Sequence, residues 1–330
     1  MAAGQLAADS LTGFSLSQLE TAAALVHQHV QPTPQYSWPL LSRRLGCEAW
    51  LKHENHTRLG AFKMRGGIVY LEAMRRQNPG AGGLVAATRG NHGQSLAFAA
   101  RQFGWKAVIV APHGNSEEKN AAMQALGAEL LLHGKDFQEA LEYSAELAME
   151  RGLVAAASFD PLLVLGVSSY ALEMFRGMPE PDLVYVPVGM GSGICGVMAA
   201  RDALGLKTAV VGVVSKAAPA YAMSFRARMP VAYPVTTRIA DGMACRKPDE
   251  RALEMMWRGV ERMVEVSDEE IEAAMRALFS DTHNTAEGAG AAALAAATRE
   301  QSRIAGKRVA LVLSGGNVDR TVFARVLGAG

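Results

Sequence analysis

Short runs of apolar residues, unbroken on both faces, recur along the chain and alternate with stretches of helical spacing. Leu84-Val-Ala-Ala87, Ala107-Val-Ile-Val-Ala111, Glu129-Leu-Leu-Leu132, Leu183-Val-Tyr-Val-Pro187, Ala209-Val-Val-Gly-Val-Val214 and Val309-Ala-Leu-Val-Leu313 are such runs. A strand with one wet face alternates apolar and polar residues, whereas one covered on both faces does not, so these runs predict strands inside a parallel sheet. Between them, Ser17-Gln-Leu-Glu20 and Ser267-Asp-Glu-Glu270 fit the reciprocal capping pattern of a helix start. The alternation of strands and helices predicts an α/β fold. No internal repeat or linker-like stretch divides the chain.

Composition narrows the function. The chain has 330 residues, enough for one large domain or two smaller ones, and 49% of them are hydrophobic. Lys and Arg total 33 against 32 Asp and Glu, a balance that removes the electrostatic case for binding nucleic acid or an anionic membrane. Cys47, Cys195 and Cys245 are scattered without metal-ligand spacing, as suits a reducing compartment. Residues 1–11 lack a basic region followed by an apolar core, so no export signal is expected. The alanine-rich residues 286–297 are too short and too glycine-interrupted to span a bilayer. The expectation is a soluble, cytoplasmic protein.

Four segments carry candidate chemistry. Lys63, in Gly60-Ala-Phe-Lys-Met-Arg-Gly66, lies between glycines and beside Phe62. A half-buried lysine there is a candidate Schiff-base amine, and a solvated lysine at a helix start is the plainer alternative. Thr88-Arg-Gly-Asn-His-Gly-Gln-Ser95 follows an apolar run and enters a helix, where backbone amides favour a carboxylate, although a capped Asn/Gly turn would look the same. Val186-Pro-Val-Gly-Met-Gly-Ser-Gly-Ile-Cys-Gly196 is a glycine-rich turn between strand and helix, suited to cradling a phosphate. Its Gly191-to-Gly196 spacing also satisfies a dinucleotide fingerprint, but the next strand ends Val213-Val-Ser-Lys216, without the acid that a ribose needs about 20 positions on. In Leu313-Ser-Gly-Gly-Asn-Val318, Ser314 either caps the next helix or sets a neutral hydroxyl against a ring nitrogen.

In this order the four segments resemble the fold-type II pyridoxal-phosphate enzymes, in particular the threonine/serine dehydratases. That family carries a Gly-Ser-Phe-Lys-x-Arg-Gly-Ala motif, a Ser-x-Gly-Asn-His loop, a glycine-rich phosphate loop and a late Ser-Gly-Gly-Asn. The stretches Ala240-Asp-Gly242 and Glu287-Gly-Ala-Gly-Ala291 match as well, and the likeness runs from about Thr33 to Asp319. It implies an α/β fold of two open, twisted, mostly parallel sheets flanked by helices, with pyridoxal 5′-phosphate between two domains. Residues 1–80 and 160–330 would form a discontinuous cofactor-binding domain, and residues 81–159 a small mobile one. Lys63 would be the Schiff-base lysine and the base at the substrate Cα. Phe62 would pack by the ring, and Asn91 would meet its 3′ oxygen. Gly189, Met190, Gly191, Ser192 and Gly193 would hold the phosphate, and Ser314 would face the pyridine nitrogen. Thr88, Arg89, Gly90, Asn91 and His92 would receive the substrate.

The implied reaction is β-elimination on a 3-hydroxy amino acid, giving a 2-keto acid and ammonia. L-Threonine and L-serine are the simplest substrates, with phenylserine, 3-hydroxyaspartate or a hydroxyectoine breakdown product as bulkier or more polar alternatives. A nicotinamide oxidoreductase is the reading from another class. Ala61 stands where the family has serine. Arg89 stands where it has a small Ser or Ala, which speaks against racemisation. Met190 and Ser192 interrupt the glycine run, but backbone amides still supply the donors. Around Gly212-Val-Val-Ser215, Ala218 and Ala220 no carboxylate replaces the ligands of metal-activated relatives, and His53 and His56 lack a partner cluster, so no metal is expected. Longer biosynthetic relatives carry a C-terminal regulatory domain. This chain stops at Gly330, so isoleucine feedback is not expected. A homodimer or homotetramer is the implied assembly.

Overall fold

The computed structural model describes residues 13–329. Among them ten strands follow one another: β1 (Gln35–Ser37), β2 (Glu48–His53), β3 (Gly83–Ala87), β4 (Lys106–Ala111), β5 (Glu129–Leu132), β6 (Val154–Ala155), β7 (Leu183–Pro187), β8 (Ala209–Ser215), β9 (Val260–Val266) and β10 (Arg308–Leu313). The six apolar runs become β3, β4, β5, β7, β8 and β10, to within a residue or two. All five residues of β3 and of β7 are buried, as strands covered on both faces must be.

The chain forms two compact units, one from the chain up to Phe62 together with the chain from Val167 onward, the other Lys63–Gly166. The first holds a six-stranded sheet of order β1-β2-β10-β7-β8-β9, parallel throughout except for β1 against β2. The second holds a four-stranded parallel sheet of order β5-β4-β3-β6. Boundaries drawn at 80/81 and 159/160 would leave the helix Lys63–Gln77 with the larger piece. It lies in the smaller unit because it packs along the helix Asn91–Gln102.

Local sequence explains most helix starts. Ser267 accepts from the Glu270 amide and Glu270 returns a bond to the Ser267 amide, the expected reciprocal cap. The first helix, Leu16–His27, is capped two residues earlier than expected, by Ser15 with Gln18. Ser17 lies inside it, its carbonyl accepting from the Thr21 hydroxyl at 2.8 Å. The alanine-rich helix Gly288–Arg299 packs on β7, β8, β9 and β10, and residues 288–297 are buried all round. Small side chains let its backbone lie close to the sheet, in the core that also holds Leu183, Tyr185, Val211, Leu311 and Leu313.

Candidate active site

In the larger unit, β2, β10 and β7 are adjacent and parallel, so the loops that follow them emerge from one edge of the sheet. Ligands of open α/β sheets bind at that carboxyl edge. The loop after β2 returns to the end of β10. Ala61 pairs with Gly315 in an antiparallel bridge, the Phe62 amide donates to the Ser314 carbonyl at 3.1 Å, and the Gly316 amide donates to the Gly60 carbonyl at 2.8 Å. The Asn317 amide nitrogen donates to the Leu59 carbonyl at 2.7 Å, and the Thr57 hydroxyl both donates to and accepts from Ala61. Phe62 and Ser314, far apart in sequence, are thereby fixed together. The next residue in the chain is Lys63, the first of its helix and half-buried.

After β7, the helix Ser192–Ala203 starts at Gly191, whose φ of 104° lies in the left-handed region that disfavours a side chain. No side chain caps this start, so its first-turn amides face outward as anion donors. Two tyrosines brace the turn. Tyr221 donates to the Met190 carbonyl at 2.7 Å while accepting from the Asp249 amide at 3.1 Å. Tyr170 donates to the Gly193 carbonyl at 3.2 Å and meets the Phe62 ring edge-on at 6.0 Å. Gly189 lies against the Gly242 carbonyl, and Glu287, buried, places its carboxylate near Gly242 and Gly315. Uncapped amides, no acidic side chain among residues 188–193, an aromatic ring and the buried Ser314 hydroxyl fit a phosphorylated pyridine.

In the smaller unit, the loop after β3 is held by the Thr88 amide, which donates to the Val110 carbonyl at 3.0 Å, and by the Gly90 amide, which donates to the Thr88 hydroxyl at 3.3 Å. The helix Asn91–Gln102 again starts without a side-chain cap. His92 donates from Nε2 to the Ala157 carbonyl at 3.1 Å. Its surroundings and, secondarily, the Lys63 charge hold its pKa down at about 3, so the imidazole stays neutral. Ser95, fully buried, donates to the Lys63 carbonyl at 2.6 Å. Thus the amine-bearing residue and the Thr88-to-His92 loop are tied through two packed helices. Close approach there requires Gly67, where any Cβ would collide with the Ser95 hydroxyl.

The four segments picked out from sequence therefore lie at strand ends and helix starts. The bracing groups Tyr170, Tyr221 and Thr57 went unnoticed, while Asn317 belongs to the Ser-Gly-Gly-Asn segment already singled out. Tyr170 and Tyr221 are lone polar residues whose partners are remote in sequence and Thr57 closes a local turn onto Ala61, whereas Glu287, a carboxylate in an alanine- and glycine-rich stretch, gave a sequence signal. Cys47, Cys195 and Cys245 are free and buried, and burial pushes the Cys47 thiol up to about 11 and Cys245 to about 12, which removes a thiolate nucleophile. Among the described residues no three His, Cys, Asp or Glu side chains gather in a metal-binding arrangement, and no helix is long and apolar enough to cross a membrane.

Residues 26–315 match the family model described as pyridoxal-phosphate dependent enzyme. An L-threonine ammonia-lyase of Thermotoga maritima is 35% identical over 295 residues, covering 88% of this chain and 72% of that protein. A catabolic L-threonine dehydratase of Staphylococcus aureus is 32% identical, covering 95% and 92%. The processed form of threonine deaminase isoform 2 from Solanum lycopersicum superposes with a TM-score of 0.88 at 28% identity, covering 99% of this chain and 98% of that one. These matches replace the nicotinamide reading of the glycine-rich turn.

Proposed function

The chain belongs to the pyridoxal-phosphate-dependent enzymes, and from that membership we propose that it is an ammonia-lyase that dehydrates L-threonine, and L-serine with it. The observation that carries this is the bridge between residues 61–62 and 314–315, which fixes the residue preceding Lys63 to the segment that presents Ser314.

The cofactor, when bound, supplies an aldehyde for Schiff-base formation with amines and a ring that withdraws electrons from Cα. Lys63 provides the amine. Once free, the same amine takes the proton from the substrate Cα. The amides of residues 189–193 would hold the cofactor phosphate, and Asn91 would meet the ring 3′ oxygen. Ser314 would offer the ring nitrogen a neutral hydroxyl rather than a carboxylate. A neutral hydroxyl there would not stabilise a positive charge on the ring nitrogen as a carboxylate would, which would favour loss of a β-hydroxyl. Thr88 and the helix start that follows bind the α-carboxylate, and neutral His92 orients the loop without titrating. Water leaves, water returns in hydrolysis, and L-threonine becomes 2-oxobutanoate and ammonia. We place the enzyme in the cytoplasm, in keeping with its three free thiols, as a homodimer or homotetramer that light scattering will distinguish from a monomer.

The test is 2-keto acid release from the purified protein with L-threonine, L-serine, phenylserine and 3-hydroxyaspartate, alongside its absorption spectrum. The expected result is a yellow protein that uses L-threonine fastest, while Lys63→Ala loses both turnover and the Schiff-base band. Turnover that survives Lys63→Ala, or a protein unable to take up the cofactor, removes the proposal.

A further inference from the structure

One side chain of the substrate loop has no part in holding that loop together. The backbone on either side is already fixed. Thr88 bonds to β4 and to Gly90, the Asn115 side chain donates to the Arg89 carbonyl at 3.1 Å, and the aliphatic stem of Lys119 lies over Gly90. Thr88 and Gly90 are buried, yet Arg89 between them is exposed. Among the described residues no carboxylate pairs with its guanidinium.

A single carboxylate is served here without any arginine. The uncapped start of Asn91–Gln102 leaves first-turn amides open, and the Thr88 hydroxyl, accepting from Gly90, keeps its own proton to donate. A guanidinium brings a permanent charge and five donors in a planar fork, a match for a further carboxylate. Resting on the ammonia-lyase reading, we infer that Arg89 is a specificity residue for an anionic group on the substrate side chain. A 3-hydroxy amino acid with a second carboxylate, such as 3-hydroxyaspartate, is then an additional substrate. The chemistry is unchanged: the Cα–H bond breaks with its proton to Lys63, the Cβ–O bond breaks with loss of water, and hydrolysis gives oxaloacetate and ammonia.

The test separates binding from turnover. L-Aspartate and L-2-aminobutyrate lack the hydroxyl and cannot eliminate, so their affinities for the holoenzyme are measured by calorimetry with the native protein, Arg89→Ser and Arg89→Lys. A charge-assisted pair is lost in Arg89→Ser, so L-aspartate should weaken about tenfold more than L-2-aminobutyrate, with Arg89→Lys between. The ratio of kcat/KM for 3-hydroxyaspartate over threonine should fall with it. Equal weakening of both ligands would make Arg89 an α-carboxylate clamp and overturn the inference, as would no weakening of either. A protein that binds L-aspartate through Arg89 but releases no 2-oxobutanoate from threonine would strike the ammonia-lyase reading alone.

Discussion

Two histidines show how burial, more than identity, decides what a residue can do. His92 occupies a loop position that invites a catalytic assignment, yet its ring donates to a main-chain carbonyl and stays neutral, so it positions rather than transfers protons. His53, at the end of β2, is fully buried and accepts at Nε2 from the Trp38 indole at 3.0 Å. Burial first, then the charge of His56, lowers its pKa to about 4, against the partial support of Asn284 and Asn55. The indole has only a hydrogen to offer, so a proton added at Nε2 breaks that bond. The sign follows. Between pH 6.5 and about 4 the unfolded chain binds a proton that the native chain refuses. Stability is therefore complete above pH 6.5 and falls as the solution is acidified, by on the order of 3 kcal/mol from this site. His53→Gln should flatten the decline of the melting temperature between pH 7 and pH 4.5. Curves for the two proteins that run parallel would mean that the acid sensitivity lies elsewhere.

At the level of elements, legibility followed solvent contact. β3, β4, β7, β8 and β10 could be read because both faces are covered, which leaves an uninterrupted apolar run. β5, an edge strand, was read from its three leucines although it is half-exposed and not covered on both faces as expected. β9 escaped notice because it is an edge strand whose Glu261, Arg262 and Glu265 reach water and carry ion pairs. β2 escaped because Lys52 and His53 end it, although both are buried, Lys52 through a 2.6 Å bond to Glu173. β1 and β6 are too short to show a period. The glycines and the lysine of the site were legible because such residues mark special backbone, while the bracing tyrosines depend on long-range packing. The pairing of Lys63–Gln77 with Asn91–Gln102 likewise left no sequence signal beyond Gly67. Gly67→Ala should force these helices apart at Ser95, costing about 1–3 kcal/mol of stability and lowering kcat, because Lys63 begins the displaced helix. Removing the obstructing hydroxyl with Ser95→Ala should restore part of both losses. A Gly67→Ala enzyme with native melting and kcat would show that the contact is slack.

On the scale of the whole molecule, the two units differ in how the chain enters them. The smaller is one continuous segment of domain size, with its own core of Val85, Ala87, Val108, Val110, Ala140 and Leu147. Expressed alone, residues 63–166 should fold, with slow hydrogen exchange in β3 and β4; a fragment that exchanges throughout within seconds would show that the remaining chain is required. The larger unit needs both ends of the chain, and its sheet places the last strand, β10, between β2 and β7. That order fixes a timetable during synthesis. While the ribosome is still making residues 63–307, the turn that ends in Phe62 has already been synthesised, but the Ser314 carbonyl to which its amide bonds does not yet exist. The turn after β2 and the glycine turn after β7 are both made earlier, and their strands join one sheet only when the final strand slides into the gap between them. A stop codon just ahead of residue 308 therefore removes none of the residues proposed to touch substrate and still leaves a chain that cannot assemble its site.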